Sequence, residues 1–280
     1  MRHVCGISGG KDSSALAVYL RRERPELEVE YFFCDTGAEL PETYEFLTRL
    51  ETVLGTKIAR LNSERGFDHW FEVYRGMLPS PQVRWCTRMM KIAPLEEWIG
   101  TAPTTSYVAI RADESSRKGY VSTKTNIKSV FPFIEDNIDH EGVLRILDDA
   151  GIGLPSYYEW RTRSGCYFCF YQRKAEWVGL SERHPELFER AIAIENKMLL
   201  NAGVNGDADF SSTAMQGRQY TWSKGETLVE LRARSSEIKD RHEAALERAR
   251  KNRTRLPLIE VLSEALDEDD NSSPCQICSL

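Results

Sequence analysis

Val4-Cys5-Gly6-Ile7-Ser8-Gly9-Gly10-Lys11-Asp12-Ser13-Ser14 is the stretch from which the fold is read. Residues 3–8 are a short run of strand character that ends in two glycines. Ala15, Leu16, Val18, Tyr19 and Leu20 then recur at the spacing of a helix packed on a sheet, up to the polar stop Arg21-Arg22-Glu23-Arg24-Pro25. A loop that leaves a strand and opens a helix presents unpaired N–H groups and the positive end of the helix dipole, and so forms a natural anion cradle. Gly9 and Gly10 let the backbone approach a phosphate, Lys11 supplies charge, and Ser13 and Ser14 supply hydroxyls. The G-x-x-x-x-G-K-[ST] spacing is absent, and a tight strand-to-helix turn with no ligand is the plain alternative.

Working outward, residues 27–34 are rich in Val, Tyr and Phe and predict a second strand, closed by Asp35-Thr36-Gly37. A helix follows with Pro41 near its start, Phe46, Leu47, Leu50, Val53 and Leu54 on one face, and Gly55 as its stop. Residues 57–61 predict a third strand and residues 106–111 a fourth. This alternation predicts an α/β fold with a doubly wound, mostly parallel sheet and ligands at the carboxyl ends of its strands. Three motifs stand at such ends: residues 8–13, Asp35-Thr36-Gly37, and Arg111-Ala112-Asp113-Glu114.

Beyond about residue 135 the pattern turns helical, best at residues 142–150, 173–180 and 185–200. Residues 201–224 predict a long loop, residues 226–255 one or two surface helices, and residues 264–273 a mobile acidic tail. The expected division is residues 1–135 as a nucleotide-binding α/β domain and residues 136–200 as a helical, cysteine-containing part of the same catalytic unit. Residues 201–280 are then a helical extension with a C-terminal Cys-x-x-Cys.

The 280 residues are 41% hydrophobic and 29% charged, which excludes collagenous and wholly disordered chains. No run is long enough to span a membrane and no signal-peptide pattern opens the chain, so the expected location is the cytoplasm. Net charge is −6, unlike a nonspecific nucleic-acid binder, although residues 232–255 hold nine basic against four acidic residues. That stretch permits a nucleic-acid partner; a solvated surface helix is an equal reading.

Four motifs carry a family resemblance. Ser8-Gly9-Gly10-Lys11-Asp12-Ser13 resembles the S-G-G-x-D-S pyrophosphate loop of the N-type ATP pyrophosphatases, the adenine nucleotide alpha hydrolase-like superfamily. Asp35-Thr36-Gly37 with Pro41-Glu42-Thr43 is similar to the D-T-G…P-E-T segment of its phosphoadenosine phosphosulfate (PAPS) reductase branch. Ile110-Arg111-Ala112-Asp113-Glu114-Ser115 resembles that branch's I-R-x-x-E-S, with Ala109 where glycine is usual, and Gly165-Cys166-Tyr167-Phe168-Cys169 resembles its G-C-x-x-C. The resemblance implies that Ser8, Gly9, Gly10, Lys11, Asp12 and Ser13 hold nucleotide phosphates, with Asp12 helping to bind Mg²⁺. It implies Cys34, Asp35 and Thr36 on the adenosine side, with Arg111 and Glu114 across the cleft. A structural ion pair and a turn cap are the plain readings of Arg111–Glu114 and of Asp35.

Cys86 with Lys91 and Pro94-Leu95 resembles the C-x-x-x-x-K-x-x-P-L stretch of relatives with an iron–sulfur cluster. With Cys166 and Cys169 it implies a 4Fe–4S cluster on three thiolates. Zinc held by Cys166, Cys169, Cys275 and Cys278 is a competitor across an unusually long gap, and Cys275 and Cys278 as a tail redox pair are another. Cys5 reads as a small core residue. The aromatics Tyr157, Tyr158, Trp160, Tyr167, Phe168, Phe170, Tyr171 and Trp177 read as a hydrophobic wall, with base stacking as the alternative.

PAPS has no β–γ pyrophosphate, and the loop here is complete, which favours ATP. The expected function is adenylating, pyrophosphate-releasing sulfur transfer by a cluster or a reactive cysteine. A sulfur donor such as a cysteine desulfurase serves it, the acceptor is a nucleic acid or another molecule, and a homo-oligomer or larger complex is compatible. Thiol-dependent reduction of PAPS or adenylyl sulfate, with Cys275 or Cys278 as nucleophile, is the alternative. A non-catalytic nucleotide-binding subunit of a defence assembly is the third reading.

Overall fold

The computed structural model describes residues 1–114, 122–204 and 221–252. Five strands form one sheet in the order β3-β2-β1-β4-β5, every neighbouring pair parallel. They are β1 (Arg2–Gly6), β2 (Val29–Cys34), β3 (Ala59–Leu61), β4 (Thr104–Tyr107) and β5 (Ile127–Val130). The helices before β4 are α1 (Lys11–Glu23), α2 (Pro41–Leu54) and α3 (Phe67–Val73), then α4 (Trp85–Thr87), which runs through a π turn at Arg88–Ile92 into α5 (Ala93–Ile99). After β5 come α6 (Pro132–Glu135), α7 (His140–Asp149), α8 (Lys174–Arg183), α9 (Pro185–Val204), α10 (Leu228–Ala233) and α11 (Ser235–Asn252).

Successive side chains on a strand face opposite ways, and here each face finds its own cover. Cys5, Ile7, Tyr31, Phe33 and Tyr107 pack with Leu16 and Leu20 of α1, Phe46 and Leu50 of α2 and Val143 and Leu147 of α7. On the other face Val4, Phe32, Cys34, Leu61 and Ile127 meet Ile92, Leu95 and Ile99. At about 1.5–3 kcal/mol for each large apolar side chain removed from water, these two layers hold the sheet. The helix stops follow their sequence signals: Pro41 opens α2, and Gly55 ends it at φ +66°.

The chain steps outward from β1 to β2 to β3, then returns to β4 on the other side of β1. Crevices for ligands open at such a reversal, beyond the carboxyl ends of the two strands. Residues 8–13 leave β1, and Arg111 follows β4, so the reversal faces both.

The structure corrects several expectations. The fourth strand is Thr104–Tyr107 rather than residues 106–111, because Val108 is the last residue held by β5, through its N–H to the Val130 carbonyl at 2.9 Å. The chain then turns into a 3-10 turn at Ala112–Glu114. Strand β5, and helices α3 to α5, were not foreseen; β5 is an edge strand with only Ile127 buried, so its pattern is weak. α9 extends through residue 204, into the stretch expected as loop. α10 and α11 are more than surface helices, since Leu228, Leu231 and Ile238 are buried in the aromatic core beside α8 and α9. Four of the nine basic residues of 232–255 are matched: Arg232 pairs with Glu189, Arg234 with Glu226 and Glu237, Lys239 with Glu182, and Arg241 with Glu237. The acidic tail, Cys275 and Cys278 lie outside the described residues.

Candidate nucleotide and thiol site

Gly9 sits at φ +77°, and a Cβ on it would stand 2.6 Å from Thr43 Cγ2. A Cβ on Gly10 would stand 2.9 Å from Ser164 Oγ. Bare backbone therefore lines the turn, as an anion cradle requires. Ser13 Oγ lies 3.1 Å from Ser8 Oγ and accepts the Ser8 N–H at 3.1 Å. Two hydroxyls at the loop, Ser14 Oγ and Thr43 Oγ1, are buried without a hydrogen-bond partner among the described residues. Buried donors seldom stay unmet, so glycines and hydroxyls fit a phosphate.

Charge gathers where β1 and β4 end. Asp12 is bonded through Oδ2 to Lys11 Nζ at 3.2 Å and through Oδ1 to Arg111 Nη1 at 3.0 Å. Arg111 also grips Asp113 at 2.9 and 3.2 Å and reaches Glu114 at 3.6 Å. Burial alone would raise the Asp12 carboxyl, but Lys11 and Arg111 outweigh it and hold it down at about 2. Burial pulls the Lys11 ammonium down while Asp12 more than restores it, and its pKa ends above the ordinary value. Two cations face three carboxylates here, a formal −1. Such a set suits a phosphate that arrives with its own cation better than a bare anion. Each Asp12 oxygen holds one cation and keeps a second lone pair, so a metal at Asp12 would share the carboxylate with Lys11 and Arg111. Arg111 and Glu114 do form an ion pair, but as part of this larger cluster.

The thiols come to the same end of the sheet. Cys166 Sγ lies 3.1 Å from Thr36 Oγ1 and 3.8 Å from Glu39 Oε1, and the next N–H, that of Tyr167, donates to the Ala38 carbonyl at 2.8 Å. Burial, then the Glu39 carboxylate, push the Cys166 thiol well up. Glu39 is itself raised, by burial first, against the pull of Lys91. Arg161, only 1% exposed, donates to the Gly165 and Cys166 carbonyls at 3.0 and 2.9 Å and so fixes the path of the loop. Asp35 accepts from Gly37 N at 2.9 Å and from the Tyr44 hydroxyl at 2.8 Å, which makes it a turn cap. Cys34 is buried, donates to the Lys91 carbonyl at 3.5 Å, and is pushed up to about 12 by burial. Cys5 is wholly buried, a core residue as read.

Among the described residues no three His, Cys, Asp or Glu side chains converge into a set that could hold a metal. Cys86 is half-buried and packs against the aromatic core that also holds Trp85, with Cys166 partly buried against the same core. The sequence reading missed Glu39, Ser164 and the loop contacts of Tyr157 and Tyr158. Tyr157 donates to the Gly9 carbonyl at 2.7 Å, Tyr158 accepts the Lys11 N–H at 3.1 Å, and Ser164 donates to Ser8 Oγ at 3.1 Å. Only Glu39, a lone charge between Ala38 and Leu40, left a visible signal. The other aromatics form a buried wall.

A five-stranded parallel sheet with a glycine–hydroxyl loop at its strand reversal, bonded by Ser164 two positions before Cys166, defines a phosphate-loop α/β protein. The chain belongs to the phosphoadenosine phosphosulfate reductase domain family, whose profile matches residues 2–172. It is 27% identical to Uncharacterized protein MJ0973 of Methanocaldococcus jannaschii, over 67% of this chain and 46% of that one. To Uncharacterized protein MJ0066 of the same organism it is 28% identical, over 67% of this chain and 40% of the other. The chain thus spans less than half the length of both archaeal relatives. A crystal structure of phosphoadenylyl-sulfate (PAPS) reductase from Candida auris, in complex with phosphate, is similar at TM-score 0.44 and 12% identity, covering 57% of this chain and 77% of that one. No helix among the described residues is long and apolar enough to cross a membrane.

Proposed function

We propose that the chain is an ATP-dependent sulfur-transfer enzyme. The observation that carries this reading is the bond from Ser164 to Ser8, which sets the Cys166 loop against the phosphate cradle at the β1–β4 reversal. An acceptor oxygen attacks the α-phosphorus of ATP and pyrophosphate leaves into the cradle of Gly9, Gly10, Ser8 and Ser13. Lys11 and Arg111 stabilise the charge that develops, and positioning supplies most of the rate. Mg²⁺ bound with the nucleotide supplies the neutralising charge that the carboxylates of the site call for. A persulfide on Cys166, loaded by a cysteine desulfurase or similar donor, then attacks the adenylated carbon and AMP departs. A second thiol, Cys169 or a small thiol, cleaves the resulting disulfide link, freeing the thiolated acceptor and leaving a protein disulfide to be reduced.

Nucleic acid is one acceptor class for this chemistry, in keeping with related phosphorothioation and tRNA thiolation enzymes. Arg232, Arg234, Lys239 and Arg241 are each already paired with a carboxylate, which gives it no special support. Assaying pyrophosphate release from ATP with candidate acceptors and a persulfide donor tests the proposal; ATP bound without turnover under every condition overturns it. Stoichiometric sulfite release from PAPS with a thiol donor would assign the reductase reaction instead. Iron and acid-labile sulfide near about four each per chain, in protein prepared without oxygen, would make Cys86, Cys166 and Cys169 cluster ligands.

A further inference from the structure

We propose that Ser164 is a positioning residue that couples the occupancy of the phosphate loop to the state of the Cys166 thiol. This deepens the reading of residues 8–13 as a phosphate site and rests on it. Ser164 is 6% exposed and stands two positions before Cys166. Its hydroxyl donates to Ser8 Oγ at 3.1 Å; that oxygen lies 3.1 Å from Ser13 Oγ and accepts the Gly10 N–H at 3.4 Å. Three donors that a phosphate oxygen would use, Gly10 N–H and the hydroxyls of Ser8 and Ser13, are therefore tied into one chain whose outer end is Ser164. A phosphate entering the cradle takes these donors, and the Ser164 hydroxyl must turn to the phosphate or lose its acceptor.

The other end of the segment transmits the change. Arg161 holds the carbonyls of Gly165 and Cys166 together, and Gly165, at φ +145°, is the joint between Ser164 and Cys166. A shift at Ser164 is passed to a thiol whose partners, Thr36 and Glu39, belong to the segment after β2. Tyr158 adds a second point of contact, since its hydroxyl accepts the Lys11 N–H, another donor at the helix start. Loop and thiol are thus joined by the Ser164–Ser8 hydrogen bond and the short backbone link through Gly165.

The test is the rate at which iodoacetamide alkylates Cys166, followed by peptide mass mapping of the full chain, with and without saturating Mg²⁺-pyrophosphate. Pyrophosphate is chosen because it carries no adenosine to cover the thiol, and calorimetric titration establishes saturation. Pyrophosphate is expected to change the wild-type rate by about fivefold, within the usual range of site-to-site coupling. Ser164→Ala should leave less than about a twofold change at saturation, and Ser164→Thr, which restores the hydroxyl, should recover it. Ser164→Val, isosteric with threonine, provides the same comparison if the alanine variant does not fold. An equal change in wild type and Ser164→Ala would mean direct cover and overturn the proposal, as would binding with no change in the wild type. Absence of pyrophosphate binding altogether would overturn the phosphate-site reading and this coupling with it.

Discussion

Asp12 Oδ1 lies 3.0 Å from Arg111 Nη1, so a residue from the loop after β1 and one from the turn after β4 close the sheet's strand reversal with a direct ion pair. Lys11 Nζ holds the other carboxylate oxygen at 3.2 Å. The cluster is a single electrostatic unit, and its members are expected to behave as one.

Removing Asp12 alone leaves Lys11 and Arg111 facing each other with their shared counter-ion gone. We expect Asp12→Ala to be less stable than the double variant Lys11→Ala/Asp12→Ala, by about 1–3 kcal/mol in urea unfolding. The double variant should fold and lose nucleotide turnover. Equal stabilities would show that the charges are not coupled, and unchanged turnover would remove the phosphate-loop assignment.

Acid should loosen the same unit. The Asp12 carboxyl is held at about 2 against an ordinary 3.8, so the folded state binds its proton less readily than the unfolded chain does. Its stabilising contribution is complete above about pH 4 and is lost as pH falls towards 2. Asp12→Asn should therefore flatten the acid limb of the stability curve between those values, as read by thermal melts across pH. A limb identical to wild type would contradict the pairing.

Gly9 combines φ +77° with a Cβ position 2.6 Å from Thr43 Cγ2. Gly9→Ala carries both backbone strain and a clash, for a loss of about 1–3 kcal/mol. Gly55, also at positive φ but with open space around it, should cost less as alanine. Chemical unfolding of the two variants checks the order, and the reverse order would contradict the packing of Thr43 on the loop.

The Cys166 thiol is raised by burial and then by Glu39. Replacing that carboxylate by the neutral amide in Glu39→Gln removes the negative neighbour and lowers the thiol pKa. More thiolate is then present at pH 8, and alkylation of Cys166 should run faster than in wild type. A slower or equal rate would mean that Glu39 does not act on the sulfur through its charge.

The local signals of the sequence were sufficient where a residue's role depends on its neighbours in the chain. Ser8 to Ser13 announced strand, turn and helix, and Pro41 and Gly55 bounded α2. What lay hidden depends on contacts between distant residues. Tyr158 and Lys11 are 147 positions apart and Ser164 and Ser8 are 156, so no spacing rule relates them. Strand β5 was hidden for a different reason: an edge strand with one buried side chain has almost no apolar pattern to read. Asp35, a turn cap here, was legible as either cap or ligand, since the same carboxylate geometry serves both.

The Gly9 carbonyl receives its hydrogen bond from Tyr157, which is 148 residues further along the chain. On a ribosome adding roughly 5–20 residues per second, the loop waits on the order of ten seconds for the side chain that secures it. Strand β1 has one partner early, β2, but its other partner, β4, begins only at Thr104. The glycine loop is thus finished only after residues far downstream of it, and through that interval one edge of β1 is open to chaperones and to mispairing.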